Sequence, residues 1–356
     1  MQGIRLGNVG RENRQLRVAD DADNASILIT GRSGSGKTVA LQKISQGIAS
    51  DGGTVLMVSF HGTHAMMAEN EKVKRINVRK EGIPFSMMTP AYYPDGSMED
   101  QEDIAEAVTD IFSDVLGLGP EQKITFQKAV QRAVERVESC RDEMEVIGRE
   151  LKGLLEEGSN RSVTSKIYGK FDSAFRKVRM SAVPDILQPG RVTVLDLDGF
   201  SNHVQKMLPE LILSILWRYY RIEGQKKEEP LYIVCDEFQN LSMRPDSVLG
   251  QILCEGRKFH MAMLLATQTM EQFDRSEKAL LLQAATQICF RPGPDEVKAV
   301  FKRLGAEQNR LGENRLSGLQ RGECIASGRF CIGSEVREGP VKMTFQKSSG
   351  SSQRLD

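Results

Sequence analysis

Short apolar runs alternate with stretches of helical period along most of the chain. Ile27, Leu28 and Ile29 form the first run, a Gly-rich turn follows, and VALQKISQGIA at 39–49 reads as a helix. Thr54–Ser59 (TVLMVS) is the next predicted strand, and Arg75–Val78 a weak third. The same texture returns with the strand VTVLDL at 192–197 and an amphipathic helix over 207–220 carrying Leu208, Leu211, Ile212, Ile215 and Leu216. LYIVC at 231–235 is continuously apolar, the signature of a strand buried on both faces. Met261–Thr267 and Gln287–Phe290 are further strands, and Val297–Leu304 is helical. Glu323–Ser327 and Val341–Phe345 predict a closing hairpin. Strands alternating with helices predict an α/β fold with a mostly parallel, doubly wound sheet.

The middle of the chain has a different period. Ile104, Val108, Ile111, Phe112 and Val115 fall at helical spacing and stop at Gly-Leu-Gly-Pro, 117–120. One long charged helix is expected from 121 to 155, a polar turn over 158–162, and another helix through 171–180. This is an inserted helical bundle. Residues 1–24 are polar, with at most a short strand at 3–6, and the tail KSSGSSQRLD lacks core-forming residues. The expected organisation is an N-terminal arm (1–24), a core (25–100 and 185–345), a helical subdomain (101–184) and a disordered tail (346–356).

Composition narrows the classes. The 356 residues carry 48 Lys+Arg against 48 Asp+Glu, with 40% hydrophobic residues, an ordinary soluble balance. Zero net charge excludes a polybasic tail-type binder but not a local basic stripe. No apolar run reaches the ~18 residues of a membrane span. The first residues, MQGIRLGNVGRENRQ, contain no secretory h-region. Six scattered cysteines without a C-x-x-C pair, and four histidines, argue against a disulfide framework or a zinc site. These features predict a cytoplasmic protein with reduced thiols.

Candidate chemistry begins at Gly31-Arg-Ser-Gly-Ser-Gly-Lys-Thr38, which fits G-x-x-x-x-G-K-[ST] between a strand and a helix. Glycines 31, 34 and 36, with Ser33 and Ser35, let the loop curl so that backbone N–H groups meet phosphate oxygens. The helix N-terminus adds partial positive charge. Lys37 places a cation on the β- and γ-phosphates, and the Thr38 hydroxyl reaches Mg²⁺. Asp236 and Glu237 end the strand LYIVC, at the edge where open α/β sheets bind ligands. Asp236 is placed to hold Mg²⁺ beside Thr38, and Glu237 to polarise an attacking water. Gln268 ends the strand MAMLLAT, where it can meet the γ-phosphate or that water; a strand-terminating polar residue is the plainer reading. Arg257 lies in the turn before that strand, where it can serve a neighbouring subunit as an arginine finger or be a solvated turn cation. His61 and His64 read as loop residues near the nucleotide or a subunit interface. The basic clusters at 72–80 and 176–179 read mainly as solvated faces.

Together these stretches resemble the HerA/FtsK superfamily of P-loop ATPases. GRSGSGKT at 31–38, EGIPFSMMTP at 81–90, RVTVLDLDGF at 191–200, LYIVCDEFQNL at 231–241 and EGRKFHMAMLLATQ at 255–268 carry the likeness. The resemblance implies a RecA-like core that binds ATP and Mg²⁺ through Lys37, Thr38 and Asp236. It implies Glu237 beside Asp236 as the acidic pair, Gln268 as sensor and Arg257 as finger. It further implies a homo-oligomer, a hexameric ring with ATP between subunits and a polymer, DNA by family likeness, in the pore. Two departures stand out. Relatives of the HerA type carry an N-terminal β-barrel, for which the residues before the phosphate loop are too few. Phe238-Gln239-Asn240 also stands where relatives often have Ala-His-Asn. DNA translocation is the leading expectation. The alternatives are an ATPase of a conjugation or type IV secretion apparatus, an ATPase scaffold in an antiviral complex with a nuclease or effector partner, and a slow nucleotide-gated switch.

Overall fold

In the computed structural model, the described residues are 3–10, 14–19, 22–60, 71–158, 160–181, 183, 186–224, 230–305 and 313–345. His61, His64 and the expected disordered tail lie outside them. Among the described residues, thirteen strands form one sheet: β1 (Arg5–Val9), β2 (Arg14–Val18), β3 (Ile27–Thr30), β4 (Thr54–Ser59), β5 (Val73–Asn77), β6 (Val192–Asp196), β7 (Leu231–Asp236), β8 (Met261–Thr267), β9 (Thr286–Phe290), β10 (Glu323–Ser327), β11 (Arg329–Ile332), β12 (Glu335–Glu338) and β13 (Val341–Thr344). Their order is β12-β11-β2-β1-β13-β10-β9-β3-β8-β7-β4-β6-β5. From β9 to β5 every neighbour is parallel, as the alternating pattern predicts. From β9 to β12 every neighbour is antiparallel, so the sheet is mixed.

The antiparallel flank corrects two expectations. The N-terminal arm is not featureless: β1 and β2 pair with each other, β1 with β13 and β2 with β11. Each offers only two apolar side chains to the core, among them the buried Leu6 and Leu16, so the five-residue runs read as polar. The expected closing hairpin forms its pair, with Cys324 opposite Met343, but its strands are not consecutive. The hairpin β11–β12 is inserted between them and carries β11 across to β2. Among the described residues no closed barrel forms.

One face of the parallel strands packs on α1 (Lys37–Ser50). Ile27, Ile29, Val55 and Met57 share a core with its Ala40, Leu41, Ile44 and Ile48. Leu28, Leu56, Val58 and Ile76 point the other way, as period-2 strands must. They meet α7 (Asn202–Glu223), α8 (Val248–Glu255), α9 (Arg275–Leu281) and the inserted helices. After the short α2 (Val78–Glu81), the insertion comprises α3 (Gln101–Leu116), α4 (Pro120–Arg136), α5 (Glu143–Glu156) and α6 (Arg161–Phe175). Phe112, Phe126, Phe171 and Phe175 form its centre, with ring centroids 5.3–6.1 Å apart. Its expected single helix over 121–155 is two helices, separated at Val137 and a 3-10 turn at Cys140–Asp142, where Ser139 Oγ accepts from Arg141 N–H. The chain reverses there, which brings Arg136 onto Glu150 at 2.7 Å and Arg132 onto Glu157 at 2.6 Å. The last helix of the insertion begins ten residues earlier than the 171–180 expected for it. The third small core, under β9 and β10, is made with α10 (Val297–Arg303) and α11 (Glu313–Ser317).

Candidate active site

The site lies at the carboxyl edge of the parallel strands. Thr30 ends β3, the loop 31–36 follows, and α1 starts at Lys37. Gly31 and Gly36 have φ of 146° and 120°, outside the range of ordinary L-residues. A Cβ at Gly31 would lie 2.6 Å from that of Phe290, and one at Gly36 would lie 3.3 Å from Gly322. The loop therefore rests directly on β9 and on the turn before β10, which fixes its curl. Lys37 is buried, and its ammonium donates to the carbonyls of Gly31 at 2.7 Å and Arg32 at 3.2 Å. Burial holds it below the usual lysine range, against the opposing pull of Asp236 and Glu237.

Two strands away β7 ends on Asp236, whose Oδ2 accepts from the Thr38 hydroxyl at 2.8 Å. The phosphate loop and the acidic strand end, 198 residues apart, thus meet at one point. Glu237 follows in the left-handed region, φ 59° and ψ 43°. A non-glycine residue there is uncommon and needs surrounding support. The support is present: Glu237 N–H donates to Ala266 O at 2.9 Å, and Asn240 donates to Glu237 O from its main chain and its side chain. Phe238 is fully buried and stacks on Phe273, with centroids 5.5 Å apart.

Between β3 and β7 runs β8, which ends at Thr267 so that Gln268 projects exposed at the same edge. Its loop is tied down by Glu296, which accepts from Thr269 Oγ1 and from Met270 N–H. Arg303 on α10 donates to Thr30 Oγ1 at 2.8 Å, just below the phosphate loop.

A cavity of about 290 Å³ gathers Ser33, Gly34, Gly36, Lys37, Thr38, Asp236, Glu237 and Gln268. Of the expected binding residues, Gly31 and Ser35 stand behind it: the Gly31 carbonyl holds Lys37, and the Ser35 carbonyl accepts from Gly322 N–H at 2.9 Å. Arg257 is elsewhere. It precedes β8, whose seven residues span about 23 Å, so it sits at the opposite edge of the sheet from Gln268. There it donates to Asp23 O at 2.6 Å and borders a cavity with Ile4, Tyr232 and His260. It does not border the 290 Å³ cavity of its own chain. Four residues that sequence reasoning missed also line the 290 Å³ cavity: Val39 in the first turn of α1, Phe60 after β4, Thr267, and Arg321 in the turn before β10. Arg321 belongs to no motif, and only the pairing of β10 with β9 brings it to the loop.

Residues 4–216 match the family described as helicase HerA, central domain. The chain belongs to this family. HerA-type membership agrees with likenesses among solved structures. VirB4 of Thermoanaerobacter pseudethanolicus aligns over 98% of this chain and 97% of its own, with a TM-score of 0.68 at 15% identity. The bacterial conjugative coupling protein TrwB, lacking its first 70 residues, aligns over 93% of this chain and 86% of its own, TM-score 0.62 at 12% identity. TrwB in complex with ADP and Mg²⁺ aligns over 95% and 89%, TM-score 0.63 at 13% identity. At these identities the likenesses establish the fold: a P-loop NTPase-type core with inserted helices. No curated protein sequence matches significantly.

Proposed function

We propose that this chain hydrolyses ATP with Mg²⁺ as a motor subunit of the conjugation or secretion type, working in a ring. The observation that carries the ATPase reading is the Thr38–Asp236 contact at 2.8 Å, with Lys37, Glu237 and Gln268 bordering the same cavity. The site suits Mg²⁺ by its donor chemistry. Thr38 Oγ1 and Asp236 Oδ2 are hard oxygens, and Mg²⁺ usually takes one or two protein oxygens, the rest being phosphate and water. No group of three or more His, Cys, Asp or Glu suited to a metal occurs among the described residues. The buried Lys37 ammonium, which donates to the carbonyls of Gly31 and Arg32, suits an arriving anion.

The residues divide the work accordingly. Backbone N–H groups of 33–38 cradle the α- and β-phosphates, and the Lys37 ammonium reaches the β- and γ-phosphates. Mg²⁺, when bound, neutralises charge that develops on the phosphate oxygens. Glu237 orients the attacking water and accepts its proton, and Gln268 holds the γ-phosphate or that water. Arg257, pinned at the far edge, serves the site of a neighbouring subunit. Closure of the pocket by that neighbour makes turnover depend on oligomerisation. The helices over 101–184 form a separate subdomain on this core.

The near-complete overlap with VirB4 and with the coupling protein TrwB favours the conjugation or secretion setting. The helicase in the family's description favours a second reading, translocation of double-stranded DNA through the ring. No helix among the described residues is long and apolar enough to cross a membrane. The test is the ATPase rate with and without double-stranded DNA, beside the native mass of the assembly. A multimer with a rate indifferent to DNA supports the secretion setting; strong stimulation by DNA supports the second reading. A multimer that hydrolyses no nucleotide under either condition sinks both. Mixing Arg257→Ala with Glu237→Gln subunits should restore hydrolysis if the finger acts across the interface.

A further inference from the structure

We propose that Arg321 is a nucleotide-binding residue acting in its own subunit, gripping the α/β-phosphate end from the side opposite Asp236, Glu237 and Gln268. The proposal rests on the ATPase reading and adds a residue to it.

Sheet order sets the geometry. Around β3 the order is β10-β9-β3-β8-β7. Gln268 and the acidic pair end β8 and β7, on one side of the phosphate loop. On the other side, β9 runs parallel to β3 while β10 runs antiparallel to β9. The start of β10 therefore lies at the edge where β3 ends, and Arg321 comes two residues before it. In loops of this kind the lysine reaches the β- and γ-phosphates while backbone N–H groups cradle the α- and β-phosphates. A cation on the flank away from the acids meets the α/β end.

The turn that carries Arg321 is held from several directions. Gly322 N–H donates to Ser35 O at 2.9 Å, which ties the turn to the phosphate loop itself. Phe345 N–H donates to Gly322 O at 2.9 Å, and Glu323 N–H to Gln320 O at 3.0 Å. The Glu323 carboxylate accepts from Gln320 N–H at 2.9 Å and pairs with Lys342 on β13 at 2.8 Å. Phe345 stacks on Phe290, with centroids 5.8 Å apart, beneath Gly36. The backbone is thus fixed, whereas the Arg321 side chain is exposed at the cavity wall. A preorganised donor with a free head is what anion capture requires. Arginine also suits phosphate through its planar fork of donors.

Direct binding of fluorescent ADP and steady-state ATP hydrolysis, on the wild type, Arg321→Ala and Arg321→Lys, test the assignment. A charge-assisted contact to the α/β end is made by ADP and ATP alike. In Arg321→Ala the ADP Kd and the ATP KM should both rise about tenfold, while kcat falls much less. Arg321→Lys should recover part of the loss. Unchanged ADP affinity in Arg321→Ala overturns the proposal. So does a collapse of kcat at unchanged affinity, which would place the guanidinium on the γ-phosphate. If the wild type itself binds no ADP, the ATPase reading falls and takes the assignment with it; if only the variants match the wild type, the reading survives alone.

Discussion

Strands β3, β4, β7 and β8 are buried at every residue, whereas β1 and β2 bury only alternate or fewer positions and β12 none. These two halves of one sheet are connected at β9 and contribute differently to the pocket. The doubly covered half ends its strands on the loop, the acids and the glutamine. The one-sided half brings a turn to the back of that loop and fixes it there. Chemistry sits where helices cover both faces and leave only the strand ends open to ligand. The antiparallel flank acts as a buttress and lends one cation.

The contrast can be broken first at Glu237. Glu237→Gln should lower kcat by about 10²–10⁴-fold with ATP binding kept, measured by turnover and by a fluorescent analogue. A variant that turns over normally would remove the acidic edge from the chemistry. Lys37→Ala should abolish detectable nucleotide binding by the same probe. In packing, Leu264→Ala in the fully buried β8 should cost about 3 kcal/mol by denaturant unfolding. Val336→Thr in β12, 51% exposed, should stay within about 0.5 kcal/mol of the wild type. Equal losses would mean the halves are not stabilised differently.

A smaller effect concerns pH. Burial depresses Lys37, so in the free protein its ammonium loses its proton below the usual 10.5. A phosphate favours the charged form, so nucleotide binding draws a proton onto Lys37. Affinity is then full at low pH and declines as pH rises through the lowered value, approaching about tenfold per unit. The decline in ADP affinity should begin below pH 10.5 and be absent in Lys37→Arg, whose guanidinium stays charged.

The parallel half and its site were largely legible because their signals are local. A loop of eight residues, an acidic pair after an apolar run and a glutamine at a strand end each declare themselves within a dozen residues. The geometry brings Lys37, Thr38, Asp236, Glu237 and Gln268 to one cavity and leaves Arg257 at the far edge. The antiparallel half was hidden because its signals are distant. Leu6 and Leu16 look isolated until β13 and β11, more than 300 residues later, give them neighbours. Arg321 has no local mark, since its significance comes from Gly322 meeting Ser35. The break at Val137–Asp142 was masked by a charged run that carries helical composition straight through it.

The pairing of Asn8 with Thr344 sets a timetable for synthesis. Strand β1 cannot gain β13 as its second neighbour until the segment that ends at Thr344 has left the ribosome. At about 5–20 residues per second that wait is on the order of tens of seconds. During it the nascent chain can already hold a formed phosphate loop, yet the wall behind that loop is still being translated. The wall behind the loop is therefore completed only once the segment through Thr344 has emerged.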